Sequence, residues 1–145
     1  MSEFEIVKAR KRDASAISNL LVQLGYETAP SKIETLLSKP SGGDPIYLGI
    51  VNGNIVAVMS LIFFDYFPSA EKLCRITSLV VDQGVRGTGI GSTLIDHAKS
   101  IALAENCTAL ELTTSFRRER TQAYYEKIGF QKTSYKYVLK LKGGV

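Results

Sequence analysis

The sequence predicts an α/β fold: one mixed, mostly antiparallel sheet of six to seven strands with about four helices on its faces. Three observations carry that prediction. The hydrophobic pattern switches between strand and helix periods in the order strand, two helices, two strands, then strand-helix-strand-helix-strand. Asn52-Gly53-Asn54 stands between two β-branched runs and marks a hairpin. Leu79-Val80-Val81 runs through a glycine-rich turn into helical spacing, as a strand–turn–helix unit does. At 145 residues, 45% of them hydrophobic, the chain reads as a single domain over residues 1–145 with enough apolar side chains to fill a core.

The elements follow in order. Phe4-Glu5-Ile6-Val7-Lys8 is a short strand. A helix follows from about Asp13, a good N-cap, with Ile17, Leu20, Leu21 and Leu24 on its apolar face, and it stops at Gly25. A second helix, Ser31 to Ser38, starts after Pro30 and ends before Pro40 and Ser41-Gly42-Gly43. Ile46–Val51 and Ile55–Phe63 form the hairpin, and a loop of Phe64-Asp65-Tyr66-Phe67-Pro68-Ser69 leads into the central strand. Beyond the glycine turn, Ile90, Leu94, Ala98 and Ile101 share one helix face, with Ile95 and Ala102 beside it. Ala109–Thr113 is a further strand, a helix around Tyr124 comes next, and strands are expected at Phe130–Thr133 and Tyr135–Leu141.

Composition narrows the function. No stretch approaches the roughly 20 apolar residues of a membrane span, and the start of the chain, with Glu3 and Glu5, has no apolar leader, so a cytoplasmic protein without membrane contact is expected. Cys74 and Cys107 are then free, buried thiols, and no zinc spacing or other metal site is present in the sequence. Residues 1–72 hold 7 Lys/Arg and 8 Asp/Glu, whereas residues 73–145 hold 11 and 6, so the basic half is the one with the glycine turn. That asymmetry suits a polyanionic ligand at one end of the molecule. Arg117-Arg118-x-Arg120 beside Tyr124 and Tyr125 is the one feature that would suit RNA, but the cluster is short and no nucleic-acid partner is expected.

The turn itself, Arg86-Gly87-Thr88-Gly89-Ile90-Gly91-Ser92, lacks Cβ atoms at three alternate positions and opens a helix. Consecutive N–H groups at a helix start, together with the helix dipole, attract an anion, and a phosphate or pyrophosphate is the natural guest. Two phosphate motifs are excluded by the letters. Ser92 follows Gly91 directly with no lysine, unlike a P-loop, and Ser92 takes the third glycine position of a dinucleotide fingerprint.

Leu79-Val80-Val81 followed by Arg86-x-x-Gly89-x-Gly91 resembles the acyl-CoA motif of the GNAT superfamily of N-acetyltransferases. A second block, Ser115-x-x-Arg118-x-x-Thr121-Gln122-x-Tyr124-Tyr125-Glu126-Lys127-x-Gly129-Phe130, is similar to that family's later helix and strand, and Lys132–Lys136 resembles its small-amine branch of aminoalkylphosphonate and aminoglycoside acetyltransferases. What the resemblance implies is a sheet with two splayed central strands and acetyl-CoA as cosubstrate. Leu79, Val80 and Val81 would bond the pantetheine arm through their main chain, Arg86, Gly87, Thr88, Gly89, Ile90, Gly91 and Ser92 would surround the pyrophosphate, and Arg118 would contact the cofactor. The Val81 N–H would face the developing oxyanion. Tyr125 would protonate the leaving thiolate, and its place about 100° from the Tyr124–Ile128 face lets it look into a cleft.

The acceptor is expected to be a small-molecule primary amine, with a protein or peptide amine, or a non-catalytic acyl-CoA-binding module, as alternatives. Tyr26 and Glu27 after the first helix, Asp65 and Tyr66 in the aromatic segment, and Glu111 are the acceptor-binding candidates. The general base stays open between Glu111, Glu27, Asp65 and a water relay, because Arg75, Thr77 and Ser78 stand where this branch often has acids. His97, the single histidine, reads as a partly buried helix residue. A homodimer is allowed by the sequence.

Overall fold

The computed structural model describes residues 3–39, 44–116 and 118–143, so Pro40, Ser41-Gly42-Gly43 and Arg117 of the sequence analysis lie outside the described residues. The chain divides into two compact units, Met1–Glu111 and Leu112–Val145. The first carries nearly all of the sheet and three helices.

Strands β1 (Phe4–Lys8), β2 (Ile46–Val51), β3 (Asn54–Tyr66) and β4 (Glu71–Val81) pair antiparallel in sequence order, and β5 (Ala109–Leu112) joins β4 at the far edge. Thr108 N–H donates to the Lys72 carbonyl at 2.9 Å, and Arg75 pairs with Glu111. Both contacts join residues 36 apart, so β5 runs parallel to β4 and the sheet is mixed. The β2–β3 turn is the two-residue type the sequence predicts: Asn52 and Gly53 both hold positive φ, 49° and 81°.

Helix α1 (Ala14–Leu24) buries Ala14, Ile17 and Leu20 against Leu48, Val58 and Val80, and α2 (Pro30–Leu37) adds Ile33 to the same core. Asp13 is the N-cap residue of α1, as the sequence predicts, but its side chain bonds none of the helix's N–H groups. A 3-10 turn over Lys11–Asp13 precedes the helix, and the Asp13 carboxylate instead accepts the Arg10 N–H at 2.7 Å. Helix α3 (Ile90–Ala104) lies on the other face, buries Ile90, Leu94, Ile95, Ala98 and Ala102, and sets His97 edge-on to Tyr47 at 4.9 Å between ring centroids. Tyr47 adjoins Leu48 along β2, so its side chain points away from the α1 face. Cys74 and Cys107 are free and buried. No helix among the described residues is long and apolar enough to cross a membrane.

Two expectations need correction. Phe64, Asp65 and Tyr66 are not loop: β3 continues to Tyr66, because Phe64, Asp65 and Tyr66 pair with Leu73, Lys72 and Glu71, and the turn is confined to residues 67–70. Nor are there six to seven strands. Phe130–Thr133 and Tyr135–Leu141 carry no strand among the described residues, and the sheet has five. Alternating apolar residues make a strand only where a neighbouring backbone completes the ladder. Tyr135, Tyr137, Leu139 and Leu141 are instead strongly exposed. The second unit is built on α4 (Glu119–Lys127), whose Tyr124 and Tyr125 rings lie 5.7 Å apart, and Tyr125 is also 5.7 Å from Phe130.

Candidate active site

The glycine turn is built from the end of β4 outward. Asp82 opens a short 3-10 turn over Gln83–Val85 by accepting the Gly84 N–H, and Arg86 leaves it in extended conformation. Gly87 and Gly89 then take φ of 82° and 88°, a left-handed setting that a side chain resists, and Gly89 is the N-cap of α3. Gly89, as the N-cap, has no side chain to bond the first N–H groups of the helix. Thr88 Oγ1 donates to the Val85 carbonyl at 2.6 Å and Thr93 Oγ1 to the Gly89 carbonyl at 3.0 Å, so both hydroxyls brace the loop. A Cβ added at Gly87 or Gly89 would meet no atom within 4 Å. The approach to the loop backbone is open, as a diphosphate requires. At Gly91 the added atom would lie 3.9 Å from Val81 Cγ2, which brings the helix start and the strand end together.

Hydrogen bonding tells which way the strand's peptide groups point. Asp82 N–H donates to the Val56 carbonyl at 2.7 Å, which makes Val81 and Ala57 a non-hydrogen-bonded pair in the antiparallel ladder. The N–H and C=O of Val81 are therefore turned away from β3, and Leu79, opposite Met59 two residues earlier, is set the same way. Arg86 Nε donates to the Val81 carbonyl at 3.1 Å from that side. Val80 points its side chain into the α1 core, so Leu79 and Val81 face α3.

The outer side of this stretch is where β5 ends. With the offset of 36, the β5 residues Ala109–Leu112 stand opposite Leu73–Ile76, and β4 runs on past them from Thr77 to Val81. At the same point β4 carries a bulge against β3. Ser60 pairs with Ser78 but Leu61 pairs with Ile76, so Thr77 is an extra residue on β4. The Ser60 hydroxyl lies 2.6 Å from both Thr77 Oγ1 and Ser78 Oγ.

Two further contacts escaped the sequence. Gln23, in the last turn of α1, donates to Asp82 Oδ1 at 2.7 Å and accepts the Gln83 N–H at 2.9 Å, tying α1 to the start of the turn. Polar residues in a helix tail carry no signal of a partner 59 residues away. Glu111 does not present a lone carboxylate: Arg75 pairs with it while stacking its guanidinium over the Phe64 ring, 4.9 Å from the centroid.

Tyr26 and Glu27 lie exposed after Gly25, which ends α1 at φ 100°, and Ser18 Oγ holds the segment by donating to the Thr28 carbonyl at 2.7 Å. Asp65 and Tyr66 are exposed at the end of β3. Tyr125 and Arg118 belong to the second unit. There burial pushes the Tyr125 phenol above its usual 10.0, Tyr124 adds to the effect and Arg118 opposes it. Such a phenol stays protonated at neutral pH. Gln122 Nε2 donates to the Ser115 carbonyl at 2.8 Å and holds the preceding turn on α4. Among the described residues no cluster of His, Cys, Asp and Glu could hold a metal ion.

Comparison with known proteins places this geometry. The chain is similar to the aminoalkylphosphonate N-acetyltransferase of Salmonella typhimurium, 28% identical over 90 residues that cover 62% of this chain and 58% of that protein. It is also similar to the thialysine N-epsilon-acetyltransferase of Bos taurus, 26% identical over 141 residues that cover 87% and 83% of the two chains. The chain spans about three-fifths of the length of the first curated relatives it matches, 59% and 58%. The fold matches a ribosomal-protein-alanine N-acetyltransferase from Brucella melitensis with a TM-score of 0.80 at 22% identity, over 96% of this chain and 100% of that one. The family model described as the acetyltransferase (GNAT) family matches residues 15–130, and the chain belongs to that family.

Proposed function

We propose that the chain is an acyl-CoA-dependent N-acetyltransferase that moves the acetyl group of acetyl-CoA to the primary amine of a small molecule by direct attack. One observation carries the proposal: a helix start with a glycine N-cap, behind left-handed Gly87 and Gly89, adjoins a strand whose Leu79 and Val81 peptide groups turn away from their ladder. The N–H groups of the Arg86–Ser92 turn would hold the pyrophosphate, and the outward peptide groups of Leu79 and Val81 would bond the pantetheine amides. Those of Val80, expected from the sequence to join them, are turned into the β3 ladder opposite Val58. The Val81 N–H would then donate to the thioester oxygen as negative charge develops there, an effect worth a few kcal/mol.

In this reading Tyr125 gives its proton to the thiolate, and its raised phenol pKa keeps that proton available. Arg118 adds a positive charge for the cofactor. Tyr26, Glu27, Asp65 and Tyr66 offer aromatic and acidic surface for an amine, while Glu111 acts through its pair with Arg75. Two relatives are named for small amines, an aminoalkylphosphonate and thialysine, and support this reading, while a third is named for peptidyl-lysine and keeps a peptide amine as the alternative. The proposed enzyme is cytoplasmic. A homodimer is part of the proposal, supported by the exposed Tyr135, Tyr137, Leu139 and Leu141, and sedimentation would show a single monomeric species if it is wrong.

The test combines binding with turnover. Acetyl-CoA at about 100 times its Kd should add about 2.7 kcal/mol of stability, visible as a rise in Tm. Free thiol release is then followed with 2-aminoethylphosphonate, S-(2-aminoethyl)cysteine and a lysine-containing peptide as acceptors. Release with either small amine is the expected result. Release with the peptide alone would move the acceptor class, and a Tm rise with no release from any amine would mark a non-catalytic acyl-CoA-binding module.

A further inference from the structure

We infer that Ser78, Ser60 and Thr77 form a directed chain of hydroxyls that carries the acceptor's proton from the β4 bulge to solvent, in place of a carboxylate base. The inference rests on the acetyl-transfer proposal and names the proton path of the same site.

The direction follows from counting protons. Three contacts link the group: Ser78 Oγ to Ser60 Oγ at 2.6 Å, Ser60 Oγ to Thr77 Oγ1 at 2.6 Å, and Thr77 Oγ1 to the Ser60 carbonyl at 3.3 Å. Each hydroxyl has one proton to give, and a carbonyl can only accept. Thr77 must therefore donate to the carbonyl, Ser60 to Thr77, and Ser78 to Ser60. One arrangement satisfies all three contacts, and it leaves the lone pairs of Ser78 Oγ at the head of the chain. Ser78 and Ser60 are half-buried, whereas Thr77 is exposed. The chain thus runs from the interior to water.

Its place suits the reaction. Ser78 immediately precedes Leu79, whose peptide groups turn away from β3, and Thr77 is the bulged residue at which β4 outruns β5. Ser60 and Ser78 lie two residues along their strands from Val58 and Val80, hence on the face covered by α1 and α2 and followed by Tyr26 and Glu27. The glycine turn and α3 occupy the opposite face. An acetyl group reaching past Leu79 from the α3 side would meet an amine on the hydroxyl side. Glu111, reached from the same stretch of sheet, already pairs with Arg75.

The step balances. As the N–C bond to the acetyl carbon forms and the C–S bond breaks, one N–H proton of the attacking nitrogen passes to Ser78 Oγ. The Ser78 proton passes to Ser60 and that of Ser60 to Thr77, whose exposed O–H turns from the Ser60 carbonyl to solvent and gives its own proton to water. Each hydroxyl ends with one proton, and the three rotate back before the next turnover. The three hydroxyl oxygens stay uncharged because the protons move together, the receiving water carries the proton away as hydronium, and the thiolate takes its proton from Tyr125, which regains one from solvent. Polarisation along the chain favours the concerted motion.

The experiment uses the full chain with acetyl-CoA and whichever of the three amines releases most thiol. Ser60→Ala removes the central link and is expected to lower kcat at least tenfold while leaving the acetyl-CoA Kd within about twofold. Thr77→Val, which is isosteric and exposed, should lower kcat as Ser60→Ala does, and Thr77→Ser, which keeps the hydroxyl, should rescue most of that loss. In mixtures of light and heavy water the wild-type rate should bow downward, as several protons in flight require, and the Ser60→Ala rate should fall on a straight line. A wild-type kcat in Ser60→Ala overturns the proposal. So does a joint loss of kcat, acetyl-CoA affinity and Tm in both Ser60→Ala and Thr77→Val, the pattern of a bulge brace. Should Ser60→Ala not fold, Thr77→Val decides alone. No thiol release by the wild type would overturn the transferase reading itself.

Discussion

Gly89 and Gly53 make a matched pair for testing what the glycine turn is for. Both hold left-handed φ, 88° and 81°, and a Cβ at either would meet nothing within 4 Å. An alanine therefore meets no protein atom at either position and is penalised only by its backbone, about 1–2 kcal/mol for a non-glycine residue in the left-handed region. For a domain of this size that penalty lowers Tm by several degrees, and by similar amounts in the two variants. Only Gly89 stands at the mouth of α3. The added methyl there would keep a phosphate oxygen from the N–H groups of Ile90 and Gly91, so Gly89→Ala should raise the acetyl-CoA Kd at least tenfold, about 1.4 kcal/mol, while Gly53→Ala leaves it unchanged. Calorimetric titration and thermal denaturation of both variants measure the two effects separately. Equal Tm losses with equal, wild-type Kd values would refute the reasoning, since the turn would then be a structural corner with no anion against it.

Three other outcomes follow from the same structure. Tyr125→Phe should lower kcat by about 100-fold and leave the acetyl-CoA Kd within a few-fold, because only the donated proton is lost; stopped-flow thiol release checks it. Gln23→Ala removes both bonds to Asp82 and Gln83 and should destabilise the protein by about 1–2 kcal/mol, with a modest rise in acetyl-CoA Kd, read in urea unfolding and calorimetry. Burial, with Cys107 nearby, pushes the Cys74 thiol up from 9.0 to about 11. The folded state thus holds this proton longer than the unfolded chain does. Its contribution, on the order of 2–3 kcal/mol, is complete below pH 9 and is lost as pH rises through about 11; Cys74→Ala should show a shallower fall in stability over that window in alkaline urea titrations.

Sequence pattern foretold the parts of the fold that local chemistry decides. The Asn52-Gly53 turn, the Gly25 stop of α1 and the apolar seam of α3 follow from residues within a few positions of one another. The strand–turn–helix unit was legible for the same reason, since three alternating glycines between a β-branched run and a helical seam admit few structures. Long-range pairing was not legible. The Thr77 bulge depends on how Ser60 and Leu61 meet β4, and neither strand's letters announce an extra residue. Phe64 to Tyr66 read as a loop because aromatic and acidic residues crowd there, yet the register with β4 carries the strand through them. The tail from Phe130 shows the converse: its alternation suggests strands, but a strand is made by its partner. Among the candidate site residues, the turn and the Leu79–Val81 stretch came from local pattern, whereas the Gln23 tie, the hydroxyl chain and the neutralisation of Glu111 by Arg75 exist only once the sheet is assembled.

The most direct measurement of the account is an amide-resolved NMR titration with coenzyme A and, separately, with pantetheine, which lacks the nucleotide diphosphate. With coenzyme A the N–H resonances of Gly89, Ile90, Gly91 and Ser92 and that of Val81 should all move, and with pantetheine the four turn resonances should stay while Val81 still moves. If coenzyme A leaves the four turn resonances in place, or shifts only amides remote from α3 and β4, the helix mouth does not hold the diphosphate and the account is contradicted.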